Sequence, residues 1–469
     1  MINKKKIIRS VSSMGLCSVV SAVLSIFQLS IVARFLTPED YGVFAIANII
    51  VGAGGAFLAG VPLAIIQRDS FTEAEASSMQ NWVYLVAVGL VLITVCIGGA
   101  FELINGSQDF FFLVTLLAAI FLITSLGQMH QVWLRRDLQM DRIAVANVVG
   151  AAVSVITAVV LAWFGAGYWA IGYAAVVRAI VTMTMVRTRS GWTILPSSSL
   201  VDARPLLKFG LSRGLDQTLG QFTSKVDQIA IGAFLGSSSL GLYNVASNVA
   251  RRPFDLIQPI LSSVMFPIYA RLKSDKGVIQ EAFDGSVQLI AIIMGTIALG
   301  VCMLSSEIIW LLLGPKWESL TTILSIIPFY FALLLMGVPM RQIAQASGHS
   351  KRLLLWNLFS SLVVVGIIVP GVMFRGELYF VSMLLCVAQF ILYIISFFVL
   401  LRGTDVDGAK AMVNSIFRVL LPYTACMCVM FNASAPGVGL RGLLLIVAIG
   451  GCMFFNYKKL VEFYRICSE

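Results

Sequence analysis

The residues best suited to chemistry are charged side chains in one apolar stretch, residues 208–271. This stretch is typical of two membrane-spanning helices, and ionisable groups at membrane depth are costly, so they face a bundle interior or a water-filled cavity. Guanidinium groups suit phosphate oxygens because their N–H donors match them in pairs. Carboxylates in such places relay protons or coordinate ions. We therefore consider Arg213, Lys225, Arg251 and Arg252 for anion binding, and Asp216, Asp227 and Asp255 for ion coupling.

Polar residues follow one face of each predicted helix in this stretch. The spacing of three to four residues places the first set together: Arg213, Asp216, Gln217, Gly220, Ser224 and Asp227. The second set is Asn244, Asn248, Arg251, Arg252, Asp255 and Gln258. Arg178, in an earlier predicted helix, adds another positive charge. We predict a cationic substrate cavity lined by Arg178, Arg213, Lys225, Asn244, Asn248, Arg251 and Arg252.

A purely structural role for these charges is the main alternative. Arg213 lies three residues before Asp216, and Asp255 lies three or four residues after Arg252 and Arg251. Such spacings favour local ion pairs within a helix. Those pairs would satisfy the charges without any substrate.

The composition indicates an integral membrane protein. Of the 469 residues, 59% are hydrophobic and only 12% are charged, and the mean hydropathy is +0.92. A soluble domain is about 45–50% apolar and about 25% charged. The net charge of +10 would suggest nucleic acid in a soluble protein. Here the basic residues lie mostly in short loops, as membrane topology requires, so no nucleic-acid partner is predicted.

The residues that usually mark enzymes and metal sites are sparse. Nearly all of the eight cysteines lie in apolar runs, which is typical of packing. The chain has two histidines and lacks HExxH, GxSxG and P-loop patterns. We predict no catalytic residues, no metal site and no cofactor.

Uncharged runs of about 20 residues predict the helices that position the charges. They give an all-α membrane protein with about fourteen transmembrane helices. If the amino terminus is cytoplasmic, most of the 33 basic residues fall on the inner side. Both termini are therefore predicted to be cytoplasmic.

An internal repeat predicts two lobes. Identical residues recur 199 positions apart in the first hairpin (residues 9–67) and the second hairpin (residues 208–271), and further matches recur 210 positions apart. Both copies start on the same side, which describes a parallel repeat of two six-helix lobes with the substrate site between them. The predicted domains are 1–190 (first lobe), 191–206 (cytoplasmic linker), 207–402 (second lobe) and 403–469 (two additional helices and a tail).

Several ordered motifs resemble those of one transporter family. The segment Phe35-Leu36-Thr37-Pro38-Glu39-Asp40-Tyr41-Gly42-Val43-Phe44 resembles the first-hairpin signature of the polysaccharide flippases. Asp227 followed by Gly236-Ser237-Ser238-Ser239-Leu240-Gly241-Leu242-Tyr243 resembles their D…LG…GLY signature. Phe266-Pro267 and Gly314-Pro315-Lys316-Trp317 look like later motifs. The chain is most similar to the colanic-acid-exporter type, within the multidrug/oligosaccharidyl-lipid/polysaccharide superfamily.

The resemblance implies a function. It implies translocation of an undecaprenyl-pyrophosphate-linked oligosaccharide repeat unit across the bacterial inner membrane, for exopolysaccharide, O-antigen or capsule. It also implies alternating access driven by an ion gradient, and no enzymatic reaction. The expected partners are the lipid-linked oligosaccharide, membrane lipid, a polysaccharide polymerase and a chain-length regulator, with the chain itself a monomer.

Two other functions are alternatives to this one. A membrane polysaccharide polymerase or ligase would carry catalytic residues on a large periplasmic loop, whereas the predicted outer loops are short. A drug or small-cation exporter of the same superfamily would favour an acidic, aromatic cavity. Arg213, Arg251 and Arg252 argue against that exporter.

Overall fold

The computed structural model of the chain describes residues 4–66, 72–137, 139–191, 204–272 and 276–415. Within these ranges the chain is helical and contains no strand. It divides into two compact units, Met1–Asn244 and Val245–Glu469. The all-α membrane fold predicted from the sequence is confirmed.

The first unit is built from eight helices and the beginning of a ninth. Their bounds are α1 (Lys4–Phe35), α2 (Pro38–Gly60), α3 (Leu63–Ile66), α4 (Glu73–Asn105), α5 (Gln108–Arg136), α6 (Met140–Trp163), α7 (Tyr168–Arg189), α8 (Arg204–Thr223) and the first part of α9 (Val226–Leu272). Two pairs of neighbours along the chain pack extensively, α4 on α5 and α6 on α7, whereas α1 packs on α6 and α2 packs on α8.

Local sequence explains where two of these helices begin. Thr37 precedes α2 and accepts a hydrogen bond from the backbone of Asp40, whose carboxylate bonds back to Thr37. Thr72 and Glu75 form the same capping box before α4. A capping box satisfies backbone N–H groups that the first turn leaves without helical partners. The core then forms where α4 packs on α5, α6 on α7, α1 on α6 and α5 on α7.

Small residues let α2 and α8 approach closely. A Cβ added at Gly60 would lie 2.6 Å from the Cα of Gly214, and one added at Gly214 would lie 2.8 Å from the carbonyl oxygen of Phe57. Thr218 Oγ1 donates to the carbonyl of Ala53 at 3.3 Å. Membrane helices associate through such small-residue contacts because lipid supplies no hydrophobic drive. This contact positions the charged helix α8.

The second unit contains the rest of α9 and the helices that follow. In it α10 packs on α13, α15 packs on α16, and α13 packs on α16. The bounds are α10 (Lys276–Met303), α11 (Ser305–Leu312), a 3₁₀ helix (Pro315–Leu320), α12 (Thr321–Leu324), α13 (Ile327–Met336), α14 (Val338–Ala346), α15 (Ser350–Arg375), α16 (Leu378–Val399) and α17 (Gly408–Ser415).

Eleven helical segments of the described residues are long and apolar enough to cross a membrane. The chain is therefore a multi-pass membrane protein. The two helices predicted for the second hairpin are the seventh and eighth predicted spans. The charged helix α8 begins the seventh but is not among the eleven. Of the two predicted carboxyl-terminal helices, the first begins in α17, and residues 416–469 lie outside the described residues. The number fourteen, the lobe boundaries and the parallel repeat stay predictions.

The close approach of α2 and α8 gives a stability prediction. Gly60→Ala would drive a methyl group into the backbone of Gly214, and overpacking of this kind typically costs about 1–3 kcal/mol. We expect a lower unfolding temperature for the purified protein in detergent. Gly220→Ala is the control, because no atom lies within 4 Å of its added Cβ and Ala favours helix. Equal unfolding temperatures in both variants would contradict this packing.

Candidate substrate and ion site

The seventh predicted span is interrupted inside the second hairpin. α8 ends at Thr223 and α9 begins at Val226. The hydroxyls of Thr223 and Ser224 donate back to the carbonyls of Gly220 and Gln221, both at 2.9 Å. The equivalent stretch of the first hairpin lies within the continuous helix α1. Broken helices are tolerated at membrane depth where they are buried or line a cavity, and transporters place binding sites there.

Burial changes along the predicted polar face. On α8, Asp216 and Gly220 are exposed and Arg213 is half-buried, whereas Asp227, just after the turn, is only 7% exposed. The single polar face predicted from Arg213 to Asp227 stays a prediction.

Asp227 is held in a buried hydrogen-bond pair just after the break. Its Oδ2 accepts from the hydroxyl of Tyr243 at 2.6 Å, and its Oδ1 accepts from the backbone N–H of Gln228 at 2.8 Å. Tyr243 is fully buried. Hydrogen bonds to an ionised carboxylate are short and roughly twice as strong as neutral ones. The pair joins the second part of the seventh span to the start of the eighth.

A second polar link lies beside this pair. Lys225 Nζ donates to Gln228 Oε1 at 3.3 Å, and Asn244 Nδ2 donates to the same oxygen at 3.5 Å. The structure therefore brings together three predicted site residues, Lys225, Asp227 and Asn244, around the break. Gln228 is the shared acceptor that connects two of them.

The remaining predicted residues of the first unit lie on helix surfaces. Arg213 Nη1 is 3.0 Å from Asp216 Oδ2 on α8, and the two side chains are 42% and 55% exposed. Arg178 is exposed near the middle of α7. The Arg213–Asp216 contact is the local ion pair that the helical spacing predicts.

The second unit carries the other predicted arginines, on the later part of α9. Arg251 Nε lies 3.0 Å from Asp255 Oδ1, with side chains 34% and 43% exposed. The Arg251 guanidinium also lies 5.8 Å from the centre of the Phe254 ring. Arg252 and Asn248 are partly exposed on the same helix. Two local ion pairs considered as the structural alternative, Arg213–Asp216 and Arg251–Asp255, do form.

Neither Tyr243 nor Gln228 is among the site residues predicted from the sequence. A signal for Tyr243 was present, because the equivalent position of the first hairpin is Phe44, and Gln28 occupies the place of Asp227. The second hairpin therefore gains a carboxylate and a hydroxyl together. Within the ranges that the structure describes, no three His, Cys, Asp or Glu side chains are grouped to hold a metal ion.

Comparison with known proteins relates the chain to a protein family. A profile described as "Polysaccharide biosynthesis protein" matches residues 31–322. The chain is 23% identical over 458 residues to lipopolysaccharide biosynthesis protein WzxC of Escherichia coli, covering 94% of this chain and 89% of that protein. It is 21% identical over 471 residues to succinoglycan biosynthesis transport protein ExoT of Rhizobium meliloti, covering 98% and 94%.

Solved structures show the same fold. The lipid II flippase MurJ in an inward closed conformation matches with a TM-score of 0.69 at 14% identity, over 97% of this chain and 99% of that one. An inward-facing multidrug resistance MATE family transporter of the MOP superfamily matches with a TM-score of 0.66 at 16% identity, over 81% and 93%. These identities are too low to carry more than the fold. Since the family profile spans more than half of its length, the chain belongs to the polysaccharide biosynthesis protein family.

Proposed function

We propose that the chain flips an undecaprenyl-pyrophosphate-linked oligosaccharide repeat unit across the bacterial inner membrane for surface polysaccharide biosynthesis. The observation that carries this proposal is the placement of charge. Two hairpins share a repeated sequence, and only the second carries ionisable groups within its spans. Charge is too costly in a span to be kept without a use.

The chemistry of these groups suits a pyrophosphate. A pyrophosphate offers several anionic oxygens, and arginine and lysine donors bind such oxygens strongly. In this proposal the phosphate replaces the carboxylate partners of Arg213 and Arg251, whose side chains are partly exposed. In this proposal Arg178, Lys225 and Arg252 complete the cationic cavity. Asn244 and Asn248 hydrogen-bond the sugar, while the lipid tail remains in the bilayer.

The names of two similar proteins support transport. ExoT is named a succinoglycan biosynthesis transport protein, and MurJ is named a lipid II flippase. The chain is proposed to work by alternating access as a monomer, with both termini cytoplasmic and without an enzymatic step. Its proposed partners beyond the substrate are a polysaccharide polymerase and a chain-length regulator.

Deletion of the gene followed by extraction of lipids tests the function. We expect lipid-linked repeat units to accumulate facing the cytoplasm, because assembly continues while translocation stops. Re-expression of the chain should clear them, and analysis of the accumulated glycan identifies the sugar. Deletion cells with ordinary levels and sidedness of lipid-linked sugar would overturn the proposal.

Removal of a cavity arginine should stop export without stopping insertion. We expect Arg213→Ala and Arg251→Ala to lower surface polysaccharide about tenfold or more, since a charge-assisted contact contributes about 1.5–3 kcal/mol. Arg213→Lys should retain part of the activity. Arg375→Ala is the control, because Arg375 ends α15 outside the proposed cavity.

A double variant separates substrate binding from loss of the ion pair. Arg213→Ala alone leaves Asp216 without its arginine, whereas Arg213→Ala with Asp216→Ala removes both charges. If Arg213 binds substrate, the double variant stays inactive. Recovery of export in the double variant would show that the ion pair alone matters.

Asp227 is the strongest candidate for ion coupling, because Asp216 and Asp255 are occupied by arginines while Asp227 is buried. We expect Asp227→Asn to make transport in vesicles insensitive to proton and sodium gradients. Tyr243→Phe is the matched control, since it loses one hydrogen bond to the same carboxylate and should destabilise the protein by about 1.5–3 kcal/mol. It should keep its response to the gradients. A normal gradient response in Asp227→Asn, Asp216→Asn and Asp255→Asn alike would exclude all three residues.

A further inference from the structure

The starts of two equivalent helical segments, one in each hairpin, contact each other through their backbones with no side chain between them. Gly42 lies in the second turn of α2, five residues after Thr37. Gly241 lies five residues after Gly236 in α9, and Gly236 is the residue equivalent to Thr37. A Cβ added at Gly42 would overlap the carbonyl oxygen of Ser237, and one added at Gly241 would overlap the carbonyl oxygen of Pro38. We call this contact the glycine crossing. Only glycine permits backbones to come this close.

The glycine crossing is reciprocal. Gly42 and Gly241 are 199 residues apart in the chain, and so are Pro38 and Ser237. Gly42 therefore contacts the carbonyl of Ser237, and Gly241 contacts the carbonyl of Pro38, the residue equivalent to Ser237. Such an exchange is the mark of a two-fold contact, in which the same patch is used by both partners. The tips of the first and second hairpins thus contact each other through equivalent patches.

One side of the crossing is anchored. Asp40 Oδ1 accepts from the backbone N–H of Tyr168 at 3.2 Å, which ties the start of α2 to the start of α7. Its Oδ2 accepts from the backbone N–H and the hydroxyl of Thr37 at 2.8 and 2.7 Å. A single carboxylate therefore ties the first turn of α2 to the start of α7.

The other side follows a hinge-like residue. Gly236 has φ of +83°, and it is the residue at which the α9 backbone leaves helical geometry. Residues that absorb a change in backbone dihedral angles at the end of an element are the usual sites of hinge motion. Gly236 is therefore the residue about which we expect the segment that contains Gly241 to turn.

We propose that the glycine crossing is a gate that closes the outer end of the transport path. This inference rests on the proposed function and on the predicted topology, which puts the hairpin tips outside. Alternating access needs a contact that seals and then parts. Backbone contacts of Cα–H groups with carbonyl oxygens are weak, and no interlocked side chains have to be withdrawn when they separate.

Alanine at either glycine tests the gate directly. The reporter is Ser224→Cys, an exposed position in the break, in a chain whose native cysteines are replaced. It is labelled in whole cells with a membrane-impermeant maleimide. We expect Gly42→Ala and Gly241→Ala to increase labelling several-fold, because the added methyl group keeps the tips apart. Unchanged labelling in inserted, monodisperse variants would overturn the proposal.

Gly60→Ala is the matched control for this experiment. It also places a methyl group against backbone, but at the far end of α2. We expect it to lower the unfolding temperature and leave the labelling of Cys at position 224 unchanged. An equal rise in labelling for Gly60→Ala would mean that general loosening of α2 explains the effect, and that the crossing is no gate.

A cross-link tests the gate with both glycines intact. Glu39 and Ser238 are exposed residues on the two segments, so Glu39→Cys with Ser238→Cys offers a pair for a short bismaleimide. We expect the reagent to join them and to stop transport, while either single variant treated in the same way keeps transporting. Absence of the cross-link in folded protein, or full transport after it forms, would refute the gate.

These readouts separate the gate from the proposed function. Labelling and cross-linking report the contact itself and do not need the substrate. If they behave as expected but deletion of the gene leaves lipid-linked sugars unchanged, the gate stands and the substrate assignment fails. If lipid-linked sugars accumulate on deletion and labelling ignores both alanines, the substrate assignment stands and the gate fails.

Discussion

A charge inside an apolar span must find a partner close by, and this requirement shapes the second hairpin. Arg213 and Arg251 find carboxylates three and four residues further along their own helices. Asp227 finds the hydroxyl of Tyr243 across a turn. Each solution is local, which allows charge to be added to a hairpin without rebuilding the helices around it.

The ion pairs and the Asp227–Tyr243 hydrogen bond differ in how easily they can be broken. The arginine–carboxylate pairs are partly exposed, and in the proposed function a phosphate replaces the carboxylate. The Asp227–Tyr243 pair is buried, and breaking it removes a hydrogen bond of 2.6 Å that is shielded from water. The hairpin thus combines partly exposed arginine–carboxylate pairs with one buried carboxylate. The proposed function uses the first for the anionic headgroup and the second for ion coupling.

Much of the fold follows from simple features of the sequence, and parts of the site do not. Long uncharged runs predict α4 to α7, and the ion pair of Arg213 with Asp216 follows from helical spacing alone. The break at Ser224 was missed because hydroxyls that bond back to the helix leave the three-to-four-residue rhythm unchanged. The pairing of Asp227 with Tyr243 spans 16 residues and depends on how the chain turns, which periodicity does not report.

The buried pair also restricts the order in which such a hairpin can change over generations. Phenylalanine at position 243 would remove the hydroxyl that donates to Asp227 Oδ2, and an apolar residue at position 227 would remove the acceptor of that hydroxyl. Each single change therefore removes the buried hydrogen bond that the two residues share. Asp227 and Tyr243 are expected to be inherited, and lost, as one unit.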